Sequence, residues 1–197
     1  MIRTALLLLA LVWAAGVRAE SCHRDIPCPL GERSYHLRLP DGWDGTSALP
    51  VLMHFHGWQR QGKLVVNHDR IASAARRRGV LLVAPNGRNR TWDFWHSDTA
   101  DVAFARAVIE DVARQYPIDR ARIYVSGYSY GAAMAWRFVC DAGNGIAACW
   151  TRVAARTWWS ASAKKDHSAP RRSTRKSKAR ARCGTARRTS WRSITCG

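Results

Sequence analysis

The chain has 197 residues, enough for one domain with a buried core, and its 47% hydrophobic content excludes a disordered or collagen-like polypeptide. Its 32 Lys and Arg against 14 Asp and Glu give a formal net charge of +18, which by itself raises a nucleic acid or an anionic surface as a partner. The distribution argues against that: residues 1–148 hold 18 basic and 13 acidic side chains, whereas residues 149–197 hold 14 basic and one acidic, so the excess belongs to the tail and no specific nucleic-acid partner is expected for the body.

Residues 1–19 read as an export signal. Arg3 supplies the positive start, Ala5 to Ala15 is an unbroken apolar run, and Val17-Arg18-Ala19 ends in a small residue suited to cleavage. The run is shorter than the ~20 residues that span a bilayer, so no membrane span is expected and the product is read as secreted, extracellular or periplasmic. Export permits disulfides among the six cysteines Cys22, Cys28, Cys140, Cys149, Cys183 and Cys196. Cys22 and Cys28 are close enough to staple the N-terminal segment, and Cys140 with Cys149 could close the end of a helix. The spacing does not choose among the connectivities.

Ser34 to Leu39 alternates like a half-exposed strand and ends at the turn Pro40-Asp41-Gly42. Pro50 to Phe55 and Val80 to Ala84 are short apolar runs closed by His56-Gly57 and Pro85-Asn86-Gly87, the pattern of buried strands. Asp69 to Arg78 fits a helix between them. A clearer helix follows, with Ala105, Val108, Ile109, Val112 and Tyr116 on one face, Asp98 as its expected N-cap and Pro117 as its stop. Arg122 to Ser126 is the next strand and leads through a glycine-bounded turn into Ala132 to Val139. Alternating strands and helices predict a mostly parallel sheet with helices on both faces. Past Ala148 no strand-like run exceeds a few residues and no helical face is sustained.

The chemistry centres on Gly127-Tyr128-Ser129-Tyr130-Gly131. A serine on a sharp strand-to-helix turn is forced outward, and glycines two before and two after it relieve the crowding. Ile123-Tyr124-Val125 before it and Ala132-Ala133-Met134-Ala135 after it supply the required strand and helix. The second element is His54-Phe55-His56-Gly57-Trp58 at the end of an upstream strand. Acyl transfer needs two backbone N–H donors for an oxyanion, one after the nucleophile and one from the loop after an early strand, and Tyr130 and Trp58 occupy those places. His56 is read as ordering its loop rather than as a base, because this arrangement places the base after the serine in chain order. Trp92, Phe94, Trp95 and His96 form an aromatic cluster open to two readings: a substrate-pocket wall, with Trp92 and Trp95 as its candidates, or packing under a loop.

These segments resemble the secreted polyhydroxybutyrate depolymerase and feruloyl esterase family of the α/β-hydrolase superfamily. The resemblance runs from about Ser34 to Ala148. It rests on His56-Gly57, Ala84-Pro85-Asn86-Gly87 followed by Trp92, Asp101-Val102-Ala103-Phe104, Tyr116-Pro117-Ile118-Asp119, and Val125 through Ala132. It implies an α/β-hydrolase-type sheet truncated on its C-terminal side, and an esterase acting through an acyl-enzyme on Ser129 with no metal or cofactor. The implied partner is an ester substrate, a polyester or an aromatic acyl ester. The peptidase chemistry of the same fold is the alternative within the enzyme class.

The family's later strand, acid loop and late histidine have no recognisable counterpart. Asp166 and His167 follow the elbow but are adjacent in the chain, and neighbouring side chains rarely meet in triad geometry. The expected organisation is therefore a signal at 1–19, a partial hydrolase core at 20–148 and a basic tail at 149–197, disordered or read out of frame, with impaired catalysis. A different class of function is a secreted binding protein whose Trp150, Trp158, Trp159 and Trp191 among arginines engage polyanions. N-terminal sequencing of secreted material is expected to begin near Glu20; cytoplasmic retention with Met1 intact would refute the export signal.

Overall fold

The computed structural model describes residues 22–142, 145–152, 183–187 and 190–194. The expected signal at 1–19, and Asp166, His167, Trp158, Trp159 and Cys196 of the tail, lie outside the described residues. In chain order the elements are β1 (Cys28–Leu30), β2 (Arg33–Arg38), β3 (Leu49–Phe55), α1 (Gly62–Val66), α2 (Asp69–Arg77) and β4 (Leu81–Pro85). A 3₁₀ turn (Arg88–Arg90), α3 (Ala100–Gln115), β5 (Ile118–Tyr128), α4 (Tyr130–Ala142), β6 (Ala148–Arg152), β7 (Cys183–Arg187) and β8 (Ser190–Ile194) complete them.

The strands form one sheet in the order β1-β2-β4-β3-β5-β6-β7-β8. Its centre, from β4 through β7, is parallel, and β1, β2 and β8 join antiparallel at the two edges. Side-chain alternation along the strands assigns the two faces. Val51, Met53 and Phe55 of β3, with Val83 of β4 and Val125 of β5, enter the larger core beneath α3 and α4. Leu82 and Ala84 of β4 enter a smaller core with Val65 and Val66 of α1 and Ala72 and Ala75 of α2, and Leu52 of β3 packs against it. Because β3 and β4 supply both cores, their sequences are nearly continuous in apolar residues rather than alternating.

The chain leaves β3 toward β4 through α1 and α2 and then returns past β3 to β5 through α3. Adjacent parallel strands β3 and β5 are therefore followed by helices on opposite faces, and the crevice at their C-terminal ends is where ligands bind in sheets of this kind. The register pairs Phe55 with Gly127 there.

Local sequence accounts for several element ends. Gly79, at φ +68, stops α2: its N–H reaches Arg76 O at 3.3 Å and the next N–H, of Val80, reaches Ala75 O at 3.0 Å. Helix α3 is capped by Thr99, not by the expected Asp98. The Thr99 hydroxyl accepts from Val102 N–H at 3.4 Å, while Asp98 sits at φ +51, outside the extended conformation an N-cap adopts. The expected strand at 122–126 is longer, because Leu49 pairs with Ile118 before a register shift. Three strands also depart from the expectation of a tail without sustained elements: β6, β7 and β8 extend the sheet. Their recruitment follows from backbone pairing, which needs little side-chain pattern in a strand of five residues. Cys22 and Cys28 form a disulfide with each other, and Cys140 and Cys149 are each in a disulfide as well.

Phe138 of α4 is fully buried with its ring centroid 5.9 Å from that of Phe55. Phe138→Ala is expected to lower stability by about 3–5 kcal/mol, read as a shift in urea midpoint with little change in slope. A loss below about 1 kcal/mol would show that this contact is not in the core.

Candidate active site

Strand β5 ends at Tyr128 and α4 begins at Tyr130, so a single residue, Ser129, reverses the chain. It does so at φ +55, in the left-handed region that L side chains rarely occupy. Such a conformation persists where the surroundings hold it. A Cβ added at Gly127 would overlap the carbonyl oxygen of Gly131, and one added at Gly131 would overlap the carbonyl oxygens of Phe55 and His56. Only glycine fits at either position. The Ser129 carbonyl accepts from Ala132 N–H at 2.8 Å, which starts the helix directly at the serine and points the positive end of α4 toward it.

The loop after β3 lies against this elbow. A Cβ at Gly57 would stand 3.7 Å from Ser129 Cβ and 3.3 Å from the Tyr128 ring. The next residue, Trp58, has its ring centroid 6.3 Å from that of Tyr130. The structure thus brings Ser129, Trp58 and Tyr130 to one place.

Three hydrogen bonds tie that loop to the turn after β4. Gly87 N–H donates to His56 Nε2 at 3.0 Å, Trp92 Nε1–H donates to the His56 carbonyl at 2.8 Å, and Gln59 N–H donates to the Arg90 carbonyl at 2.8 Å. Since Nε2 accepts, Nδ1 carries the proton and donates to the Gly57 carbonyl at 2.8 Å. Burial, the largest cause, pulls the His56 pKa down to about 4; Arg33 and Arg90 act in the same direction, while the Gly57 carbonyl and Asp101 oppose it. With both nitrogens committed, His56 orders its loop. His54 faces the other side of the sheet, with Nδ1 2.8 Å from Ser126 Oγ. Its burial lowers its pKa to about 4 as well.

The turn itself is anchored by polar groups. Asn86 accepts from Gly62 N–H at 2.7 Å and donates to Ser34 Oγ at 2.9 Å, while its carbonyl accepts from Arg33 at 3.0 Å. Arg33 pairs with buried Asp101 at 2.6 Å, and Asp101 accepts from Asp93 N–H at 2.6 Å. None of these ties was foreseen from the sequence. The Asn86-Gly87 and Asp101 signals were visible as motif residues, but nothing in their spacing says what they hold.

The two candidate pocket tryptophans separate. Trp92 is buried, edge-on to Phe55 at 5.2 Å and beside His56 at 4.6 Å, so its ring supports the loop from below. Trp95 is 54% exposed and Trp58 is 59% exposed. Phe94 links them through Tyr130: its ring lies 4.8 Å from Trp95 and 5.4 Å, edge-on, from Tyr130. Trp58, Tyr130, Phe94 and Trp95 therefore form a row of rings beside Ser129, and Arg137 of α4 holds it by donating to the Phe94 carbonyl at 3.2 Å. Among the described residues no group of three or more His, Cys, Asp or Glu is placed to hold a metal ion, and no described helix is long and apolar enough to cross a membrane.

No family model matches the chain. It is 34% identical over 118 residues to a feruloyl esterase C of Emericella nidulans, covering 56% of this chain and 42% of that protein. It is 27% identical over 118 residues to a bifunctional acetylxylan esterase/xylanase of Neocallimastix patriciarum, covering 59% of this chain and 17% of that one. The chain thus spans about half or less of the length of such relatives. Among solved structures it is similar to a fluorophosphonate-binding serine hydrolase of Staphylococcus aureus, with a TM-score of 0.52 and 17% identity over 61% of this chain and 50% of that one. A ferulic acid esterase superposes at a TM-score of 0.51 with 17% identity, covering 61% of this chain and 53% of that one. The fold is that of the α/β-hydrolases.

Because burial holds His54 and His56 neutral with pKa values near 4, the unfolded chain takes up protons near pH 6.5 that the folded chain refuses. Stability present above pH ~6.5 should fall as the pH drops toward 4, by an amount on the order of a few kcal/mol for the pair. Urea midpoints between pH 7.5 and 3.5 measure this, and a flat profile across the window would contradict the burial of both rings.

Proposed function

We propose that this chain carries the nucleophile side of a secreted serine hydrolase for carboxylic esters, with Ser129 as the residue that would be acylated. The observation that carries the reading is Ser129 itself: a non-glycine residue at φ +55, on a one-residue reversal packed against the loop of Gly57 and Trp58. The backbone N–H groups of Trp58 and Tyr130 would receive the oxyanion of the tetrahedral intermediate, and the N-terminus of α4 would favour the same negative charge. An acyl group would lie along the exposed rings of Trp58 and Trp95, which favours an aromatic acyl ester over an aliphatic polyester. The names of the relatives, feruloyl esterase among them, support the same substrate class.

A serine hydroxyl at neutral pH is a weak nucleophile without a base, which both takes its proton and returns it to the leaving group. His56 has both ring nitrogens engaged, His54 faces the opposite side of the sheet, and the described residues after α4 include neither a histidine nor an acidic residue. In subtilisin, loss of the serine or histidine costs on the order of 10⁶ in kcat, while ~10³–10⁴ over water survives from binding and the oxyanion hole. The chain as written should hydrolyse activated short-chain aryl esters feebly, with a rate that Ser129→Ala changes little. The decisive experiment is prolonged labelling with a fluorophosphonate, mapped by peptide. Label on Ser129, absent in Ser129→Ala, is expected; label elsewhere or none would remove the elbow as the nucleophile. Strong turnover lost on Ser129→Ala would overturn the impairment and reveal a base in the chain.

A further inference from the structure

We propose that His56 is the positioning residue of the loop facing Ser129, a neutral imidazole latch between that loop and the turn at Gly87, and that protonating this ring releases the loop. The consequence for catalysis rests on the ester-hydrolase reading above; the latch does not.

The hydrogen bonds fit one protonation state. Gly87 N–H points at Nε2 from 3.0 Å, so that nitrogen must offer a lone pair, and the proton on Nδ1 goes to the Gly57 carbonyl at 2.8 Å. An imidazolium has two N–H groups and no acceptor, so in it two donors would face each other between Nε2 and Gly87. The ring cannot turn away to water, since it is 2% exposed and lies 4.6 Å from the Trp92 ring. Nor can the turn accommodate easily: a Cβ on Gly87 would already overlap the Thr91 carbonyl and press on the Trp92 ring. Protonation therefore breaks the Gly87 tie and sets a repulsive pair of donors against the two that remain, from Trp92 Nε1–H to the His56 carbonyl and from Gln59 N–H to the Arg90 carbonyl.

Once parted, the two segments have reason to stay apart. Gln59 at φ +56, Asn89 at +52 and Arg90 at +62 are all left-handed residues other than glycine, and they flank the third of the three ties, Gln59 N–H to the Arg90 carbonyl. Backbone in that region is retained only while its surroundings enforce it. The charged neighbours of His56 come from four elements. Asp101 of α3 favours the imidazolium, Arg33 of β2 and Arg90 of the 3₁₀ turn oppose it, and His54 of β3 couples to it with like sign. Burial adds to the opposition and leaves the ring neutral at pH 7. Trp58 follows Gly57 directly, so a released loop would misplace the N–H proposed to meet the oxyanion. That charge exists only in the transition state, so the loss would appear in kcat and not in KM.

Nitrogen-15 NMR of the imidazoles and amide hydrogen exchange on the full chain test the latch. At pH 7 His56 should show the neutral Nδ1–H tautomer, and the Gly87 and Gln59 amides should be protected. As the pH falls through about 4, that protection should collapse at least tenfold before the core amides of β3 and β5 respond. His56→Gln, whose amide oxygen can reach the place of Nε2, should keep the protection at pH 7 and abolish the acid transition. His56→Leu should lose protection at both amides at every pH. An Nε2–H tautomer, or unchanged Gly87 exchange in His56→Leu, would overturn the latch; if His56→Leu does not fold, an acid transition persisting in His56→Gln does so equally. The rate of Ser129 labelling by a fluorophosphonate separates the two halves. A labelling rate that falls with the Gly87 protection supports the catalytic consequence. No labelling in any variant, with the exchange behaviour as described, overturns the ester-hydrolase reading and leaves the latch standing.

Discussion

The carbonyl oxygens of Phe55 and His56 occupy the space that any side chain at position 131 would need. That near-contact between the end of β3 and the first turn of α4 sets the rest of the site. It holds the parallel register of Phe55 with Gly127, leaves Ser129 alone to reverse the chain, and fixes where the loop after β3 departs relative to the serine. The His56 carbonyl faces both Gly131 and the indole N–H of Trp92, while its ring meets Gly87. One residue thus joins the elbow, the facing loop and the turn after β4, with backbone groups supplying most of the contacts.

Polar groups inside the larger core stabilise this arrangement more by placement than by energy. The Arg33–Asp101 pair is nearly buried, and burial works against the Arg33 charge while Asp101 favours it, so the net gain from the pair is modest by general experience with buried ion pairs. What the pair does is hold β2, the start of α3 and the turn at Asn86 in one geometry, with the guanidinium 3.7 Å above the Phe104 ring. Tyr35 plays a similar part farther along: its hydroxyl donates to Asp111 at 2.6 Å and accepts from Gln115 at 2.9 Å, and burial holds the phenol far above its ordinary pKa. Both ties run from β2 to α3, and between them α3 is oriented across the sheet so that its partner α4 can meet β5.

The aromatic row beside Ser129 shows how exposure and burial divide a motif. Trp92 and Trp95 are three residues apart, and both read as pocket candidates. One indole supports the loop from within the core, while the other lies on the buried Phe94 ring and faces solvent. Periodicity does not separate the two, because the segment is neither helix nor strand and its side chains follow the hydrogen bonds of Asp93, Thr99 and Arg137 instead.

The fold class was legible because it depends on local composition. Apolar runs long enough for buried strands, a helical face from Ala105 to Val112, and glycines around a serine each name their own element, although Tyr116, expected on that face, is extended just past the helix end. The sharp turn at Ser129 was legible for the same reason, whereas the disulfide of Cys22 with Cys28 was one of several pairings that the spacing left open. Element ends were less so: Asp98 looked like a cap, yet its left-handed backbone gave that task to Thr99. Strands β6 to β8 could not be seen at all, since pairing at a sheet edge draws on backbone groups that every residue carries. Which residues can make a strand, a helix or a strained turn is written in the order of amino acids, because those are preferences of neighbours along the chain. That Gly87 answers His56 and Arg33 answers Asp101 came from the folded sheet, because such pairs depend on which segments it brings to about 3 Å.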